Sequence, residues 1–217
     1  ACLVGSEMCI RDSMRTLALL MLASFTMSAY SASKTILVLG DSLSAEYGLA
    51  RGEGWVNLLQ KKLEAEKITA SIVNASISGE TTSGGAARLQ TLLDKHQPAV
   101  VVIELGANDA LRGLSLIATQ QNLRNMVAAA KKAKARVLLI GMQIPPNYGT
   151  DYTRQFADLF PKIAKESKSA LVPFMLKDVA DKANPNLFQA DRIHPSAEAH
   201  PIILNNIWPQ LKPLLSK

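Results

Sequence analysis

Cysteine is nearly missing from this chain of 217 residues: Cys2 and Cys9 are the two present, and both fall in the first nine residues. No disulfide framework therefore holds the fold, and no thiolate nucleophile or cysteine-based zinc site is on offer. Aromatic residues make up 5% and do not cluster with the basic ones. Nucleic-acid surfaces interleave stacking aromatics with basic stripes, so the net charge of +6 reads instead as solvated helix faces, with Lys61-Lys62 and Lys131-Lys132 as examples. Neither Gly-x-Gly-x-x-Gly nor a Walker loop occurs, which removes the usual nucleotide signatures. Gly-x-Ser-x-Gly is absent too, which argues against the α/β-hydrolase nucleophile turn. The histidines are His96, His194 and His200, and without His-Glu-x-x-His they make no metal set. No apolar run reaches the ~20 residues that a membrane span needs.

What is present begins with a leader. Met14-Arg15-Thr16 is a charged start, Leu17 to Phe25 a short apolar run, and Ser28 to Ser33 a stretch of small residues. That order is a secretory signal peptide, with cleavage expected after Ser31 or Ser33. Residues 1–13 precede Met14, the expected start, and are read as an upstream extension. One domain is expected over 34–217. With 48% hydrophobic and 19% charged residues the chain can bury a sizeable core.

Beyond the leader the pattern alternates. Strands are expected at Thr35–Leu39, Ile68–Val73, Val100–Ile103, Val137–Ile140 and Ala170–Val172. Helices are expected at Trp55–Glu66, from near Thr81 to Leu93, at Gln120–Lys132, at Asp151–Ser167 and from Ser196 to about Leu215. Alternation of this kind, with near-continuous apolar strands, predicts an α/β fold with a parallel sheet covered on both faces. Ligands in such sheets bind at the carboxyl ends of the strands.

Those ends carry the unusual residues. After the first strand comes Gly40-Asp41-Ser42-Leu43-Ser44, where a tight turn would present a serine hydroxyl; alone, it reads better as a helix cap. After the second comes Ser76-Ile77-Ser78-Gly79, a turn whose glycine N–H can face an anion. After the third comes Gly106-Ala107-Asn108-Asp109, with a neutral amide donor in what otherwise reads as turn chemistry. Glu104, inside a strand that should be buried, is out of character and is expected to be paired. Near the C-terminus, Asp191-Arg192-Ile193-His194 can set a carboxylate against an imidazole on one turn. His96 and His200 are expected at the surface.

Each signal is weak alone, but their order along the chain resembles the four sequence blocks of the SGNH, or GDSL, hydrolase family. The blocks supply Ser42, Gly79, Asn108 and His194, and the resemblance runs from about Lys34 to the C-terminus. The flanking runs are closest to bacterial enzymes of the thioesterase I/lysophospholipase/arylesterase group. The resemblance implies a three-layer α/β/α sandwich, flavodoxin-like, with a five-stranded parallel sheet. It implies a serine esterase acting on acyl esters and thioesters through an acyl-enzyme, with no metal or cofactor. The triad would be Ser42, Asp191 and His194, and the oxyanion hole the N–H groups of Ser42 and Gly79 with the side chain of Asn108. Pro146, Asn147 and Tyr148 resemble a substrate-side loop in that group. The expected substrate is a small acyl ester, thioester or lysophospholipid, handled by a monomer in the periplasm or outside the cell. The rival on the same fold is a carbohydrate acetylesterase; the apolar Met142 and Ile144 beside that loop favour acyl chains.

Overall fold

The computed structural model describes residues 34–180 and 185–216. The expected leader, 1–33, lies outside the described residues. Five parallel strands form one sheet: β1 Lys34–Gly40, β2 Ala70–Asn74, β3 Val100–Glu104, β4 Arg136–Ile140 and β5 Ala170–Val172, in the order β2-β1-β3-β4-β5. β3 is buried at every position, as an apolar strand inside a covered sheet must be. β2, at one edge, is only half buried.

The helices are α1 Trp55–Ala65, α2 Thr82–His96, α3 Ala107–Leu111, α4 Leu116–Lys132, α5 Thr150–Ser167 and α6 His200–Leu211. α1 packs against α6, while α2, α4 and α5 pack in succession. Right-handed crossovers demand this split: the chain winds one way from β1 to β2 and the other way from β2 onward. The largest buried side chains, Trp55, Phe156 and Phe160, come from α1 and α5. No helix among the described residues is long and apolar enough to cross a membrane.

Local chemistry explains where the elements depart from their expected bounds. α2 starts after Thr81, whose side chain accepts from Gly84 N. α4 starts one turn early because Ser115 caps it, accepting from Ala118 N at 3.4 Å. The expected last helix is three pieces, with 3₁₀ turns at Ala197–Ala199 and Lys212–Leu214 around α6. Pro201 sits in the first turn of α6, where its missing N–H is no loss. α3 is a helix where a turn was expected; five residues are too few to carry a hydrophobic period.

The winding reverses between β1 and β3, and there Gly40 is the register partner of Glu104. This is the switch point of the sheet, and the crevice outside it is where a ligand belongs.

Candidate active site

The apolar strand β1 ends at Gly40 and the chain wraps around Asp41. Ser44 N and Ala45 N donate to Asp41 O at 3.2 and 3.0 Å, and Leu43 N donates to Asp41 Oδ1 at 3.0 Å. Among the described residues Ser42 N–H donates to no protein acceptor, so this turn engages its neighbours' donors and leaves that one available. A Cβ on Gly40 would lie 2.8 Å from both Glu104 Oε2 and Ser44 Oγ, so only glycine lets the two strand ends close.

The segment after β2 continues along β1: Ala75 N donates to Val38 O at 2.8 Å and Ile77 N to Gly40 O at 3.0 Å. This carries Ser78 and Gly79 to the end of β1, beside the Ser42 turn. Gly79 turns the chain with φ +78°, a conformation that L side chains resist. Its carbonyl accepts from Arg112 Nη2 at 2.9 Å, and its N–H has no protein acceptor among the described residues.

Asn108 stands in α3, just beyond β3. Its Nδ2 donates to Asp41 Oδ2 and to Glu80 O, both at 3.0 Å, tying all three segments together. The adjacent Asp109 is buried and faces the other way. It accepts from Thr82 N at 2.9 Å and from the hydroxyls of Thr82 and Thr119 at 2.5 and 3.3 Å, so it fixes α3 to the start of α2 and to α4.

The fourth segment comes from the far end of the chain. Phe188 and Pro195 form an antiparallel bridge that brackets a tight loop. Within it Asp191 Oδ1 accepts from Ile193 N at 2.9 Å and His194 N at 3.0 Å, and Asp191 Oδ2 lies 2.7 Å from His194 Nδ1. These bonds, led by the His194 N–H, hold the Asp191 carboxyl down at about 2. The other imidazole nitrogen, Nε2, is 3.0 Å from Ser42 Oγ. The Tyr47 ring lies over the imidazole with centroids 4.4 Å apart. Gln189 Nε2 donates to Tyr47 O at 2.8 Å and to Pro195 O at 3.0 Å, joining this loop to the Ser42 turn.

The structure thus brings together Ser42, Gly79, Asn108, Asp191 and His194. Pro146, Asn147 and Tyr148 form an exposed 3₁₀ turn after β4, on the same edge of the sheet, with no hydrogen bond to Ser42, Gly79 or Asn108 among the described residues. Met142 and Ile144 are buried in the core and present almost no surface to an acyl chain.

His200 corrects the expectation of a surface residue: it is buried, and its Nδ1 accepts from Trp55 N at 3.0 Å. Burial lowers its pKa. The residues that sequence reasoning passed over are Asp41, Tyr47 and Gln189. Asp41 had a signal, an acid directly after an apolar strand, but its reading stopped at a helix cap. Burial pushes its carboxyl up to about 6, against the pull of the Leu43 N–H. Glu104, expected to be paired, accepts from Asp41 N at 3.2 Å and from Ser44 Oγ at 2.7 Å.

The sequence pattern of the GDSL-like Lipase/Acylhydrolase family matches residues 38–202. The chain is 49% identical over 194 residues to Esterase TesA of Pseudomonas aeruginosa, covering 89% of this chain and 96% of that protein. It is 43% identical over 186 residues to Thioesterase 1/protease 1/lysophospholipase L1 of Escherichia coli K12, covering 86% of this chain and 87% of that one. A solved crystal structure of TesA superposes with a TM-score of 0.81 at 50% identity, covering 83% of this chain and 99% of its own. With its four segments converging at one sheet edge and these relatives spanning most of its length, the chain belongs to the GDSL-like lipase/acylhydrolase family and is an ester-bond hydrolase.

Proposed function

We propose that Ser42 is the nucleophile of this hydrolase, His194 its general base and acid, and Asp191 the group that orients His194. The carrying observation is the chain of contacts from Ser42 Oγ to His194 Nε2 at 3.0 Å and from His194 Nδ1 to Asp191 Oδ2 at 2.7 Å. Ser42 Oγ passes its proton to Nε2 as it attacks the acyl carbonyl carbon. The imidazolium that forms is stabilised by an ionised Asp191. His194 then gives the proton to the departing alkoxide or thiolate, leaving an acyl-Ser42 ester. Water, deprotonated by His194, releases the acid.

The carbonyl oxygen becomes anionic in each tetrahedral intermediate. The donors that answer it are Ser42 N–H and Gly79 N–H, with Asn108 Nδ2 as the third. Both hydrogens of Asn108 have acceptors in this structure, Asp41 Oδ2 and Glu80 O. The oxyanion takes over the one held by Glu80 O, because a neutral carbonyl is the weaker acceptor.

The substrates we propose are simple esters, thioesters and lysophospholipids of short to medium acyl chain. The exposed apolar side chains of Tyr47, Ile77 and Ile193, on the segments that carry the triad and the hole, suit an acyl chain. The loop at Pro146, Asn147 and Tyr148 would flank it. With the leader read from Met14, we place the enzyme, as a monomer, in the periplasm or outside the cell.

The test is hydrolysis of p-nitrophenyl esters from acetate to palmitate by the purified protein and by Ser42→Ala. We expect turnover that peaks at short or medium chains and falls at least about 10³-fold in the variant. Retained turnover by Ser42→Ala would overturn the assignment, and faster turnover of acetylated xylan would replace the substrate class.

A further inference from the structure

Glu104 is a wholly buried acid at the carboxyl end of the central strand β3. Its Oε2 accepts from Asp41 N at 3.2 Å and from Ser44 Oγ at 2.7 Å. Its Oε1, also buried, has no hydrogen-bond partner among the described residues. Asp41 is buried too, joined to Glu104 Oε2 through its own N–H at 3.2 Å and close enough for its charge to act on Glu104. The other groups that face the two acids are Trp55, whose Nε1 donates to Ser44 Oγ at 3.2 Å, then Asn108, and His194 through its charge. Neither acid forms a salt bridge among the described residues.

Two carboxylates cannot both be ionised in such a place. One proton on Glu104 Oε1 removes the like-charge repulsion and gives the orphan oxygen a role, as donor to the Asp41 carboxylate. Asp41 then accepts from Glu104, from Leu43 N and from Asn108 Nδ2. An ionised carboxylate suits three such donors better than a protonated one, which is the weaker acceptor.

We propose that Glu104 is a positioning residue of the oxyanion hole, forming with Asp41 a singly protonated pair that fixes Ser42 N–H and Asn108 Nδ2. One arm runs from Glu104 to Asp41 N and Ser44 Oγ and sets the turn that aims Ser42 N–H. The other runs through Asp41 Oδ2 and holds Asn108 Nδ2. Burial and the neighbouring charge keep Glu104 well above the ordinary carboxylate range, in accord with its bearing the proton. This rests on the reading of Ser42 N–H and Asn108 as oxyanion donors.

The test compares Glu104→Leu and Glu104→Gln with the native enzyme in kcat, KM and thermal melting. Leucine fills the space but offers neither acceptor nor donor, so kcat should fall about a hundredfold at nearly unchanged KM, as when one oxyanion donor is lost. Glutamine is neutral, with an acceptor for Asp41 N and Ser44 Oγ and a donor for Asp41, so it should recover most of that loss. Equal loss in both variants would overturn the proposal, since the charge would then be what matters. So would activity in Glu104→Leu that falls only with its folded fraction. If Glu104→Leu does not fold, Glu104→Gln decides alone: a folded variant with kcat down tenfold or more is incompatible with a neutral Glu104. Unchanged kcat in Asn108→Ala would remove the parent reading instead, which keeps the two failures apart.

Discussion

Asn108 is held from two sides before any substrate arrives, by a carboxylate and by a backbone carbonyl. In the proposed oxyanion hole, a donor held in place in this way costs little reorganisation when the oxyanion forms. Asn108→Ala should therefore lower kcat about 10²- to 10³-fold while KM stays near its native value. Steady-state kinetics on one p-nitrophenyl ester checks this; a rise in KM with kcat unchanged would mean that the amide binds substrate rather than the transition state. Ser42, Gly79, Asn108, Asp191 and His194 draw attention in the sequence because each stands beside a strand end or turn and the types recur in a known order, and the fold gathers them at one edge. Glu104 could be seen as anomalous in an apolar strand, yet its partners could not be named. They depend on Gly40 and Glu104 meeting in register across two strands 64 positions apart in the sequence.

Among the elements, the long amphipathic helices and the apolar strands could be read from their periods, and α1 buries Trp55, Val56, Leu59 and Leu63 along one side. What escaped were features with no period: the short α3, and a helix end capped from elsewhere. α1 has no side-chain cap from its own N-cap residue Gly54. The imidazole of His200, at the start of α6, accepts the Trp55 N–H instead. Nothing local to His200 signals this, since its partner lies 145 residues away. Losing such a cap should cost about 1 kcal/mol. The pH dependence follows from the lowered pKa of His200. The unfolded chain takes up the proton first, so this contribution is complete above the ordinary value of 6.5 and is lost as pH falls below it towards the folded value. We expect His200→Ala to be less stable than the native protein by about 1 kcal/mol at slightly alkaline pH, with a smaller gap under mild acid. Urea unfolding of both proteins at the two pH values measures it, and a gap that does not change with pH would sink the account.

The whole molecule solves one problem, which is to bring residues from both ends of the chain to a single edge. Parallel strands in the order β2-β1-β3-β4-β5 do most of this, because they place the ends of β1, β2 and β3 side by side. The fourth segment has no strand to deliver it, and β5 ends well before Asp191. Its position depends on contacts to the Ser42 turn. Gln189 supplies them in a compact way: its backbone N–H donates to His194 O at 2.8 Å, and its side chain reaches Tyr47 O and Pro195 O. Tyr47 in turn lies over the imidazole that must face Ser42 Oγ. Cutting the side-chain tie leaves the Phe188–Pro195 bridge and the Asp191 turn intact, so the loop should persist but settle less accurately. Small misplacements of a reacting group can cost up to about 10²-fold in rate. Gln189→Ala should therefore lose roughly tenfold in kcat, with thermal melting close to native and Ser42 still labelled, more slowly, by an organophosphonate. Native kcat in that variant would mean that the bridge and the Asp191 turn alone suffice to seat His194. A collapse in melting temperature together with activity would mean that Gln189 belongs to the fold's stability rather than to the alignment of its two ends.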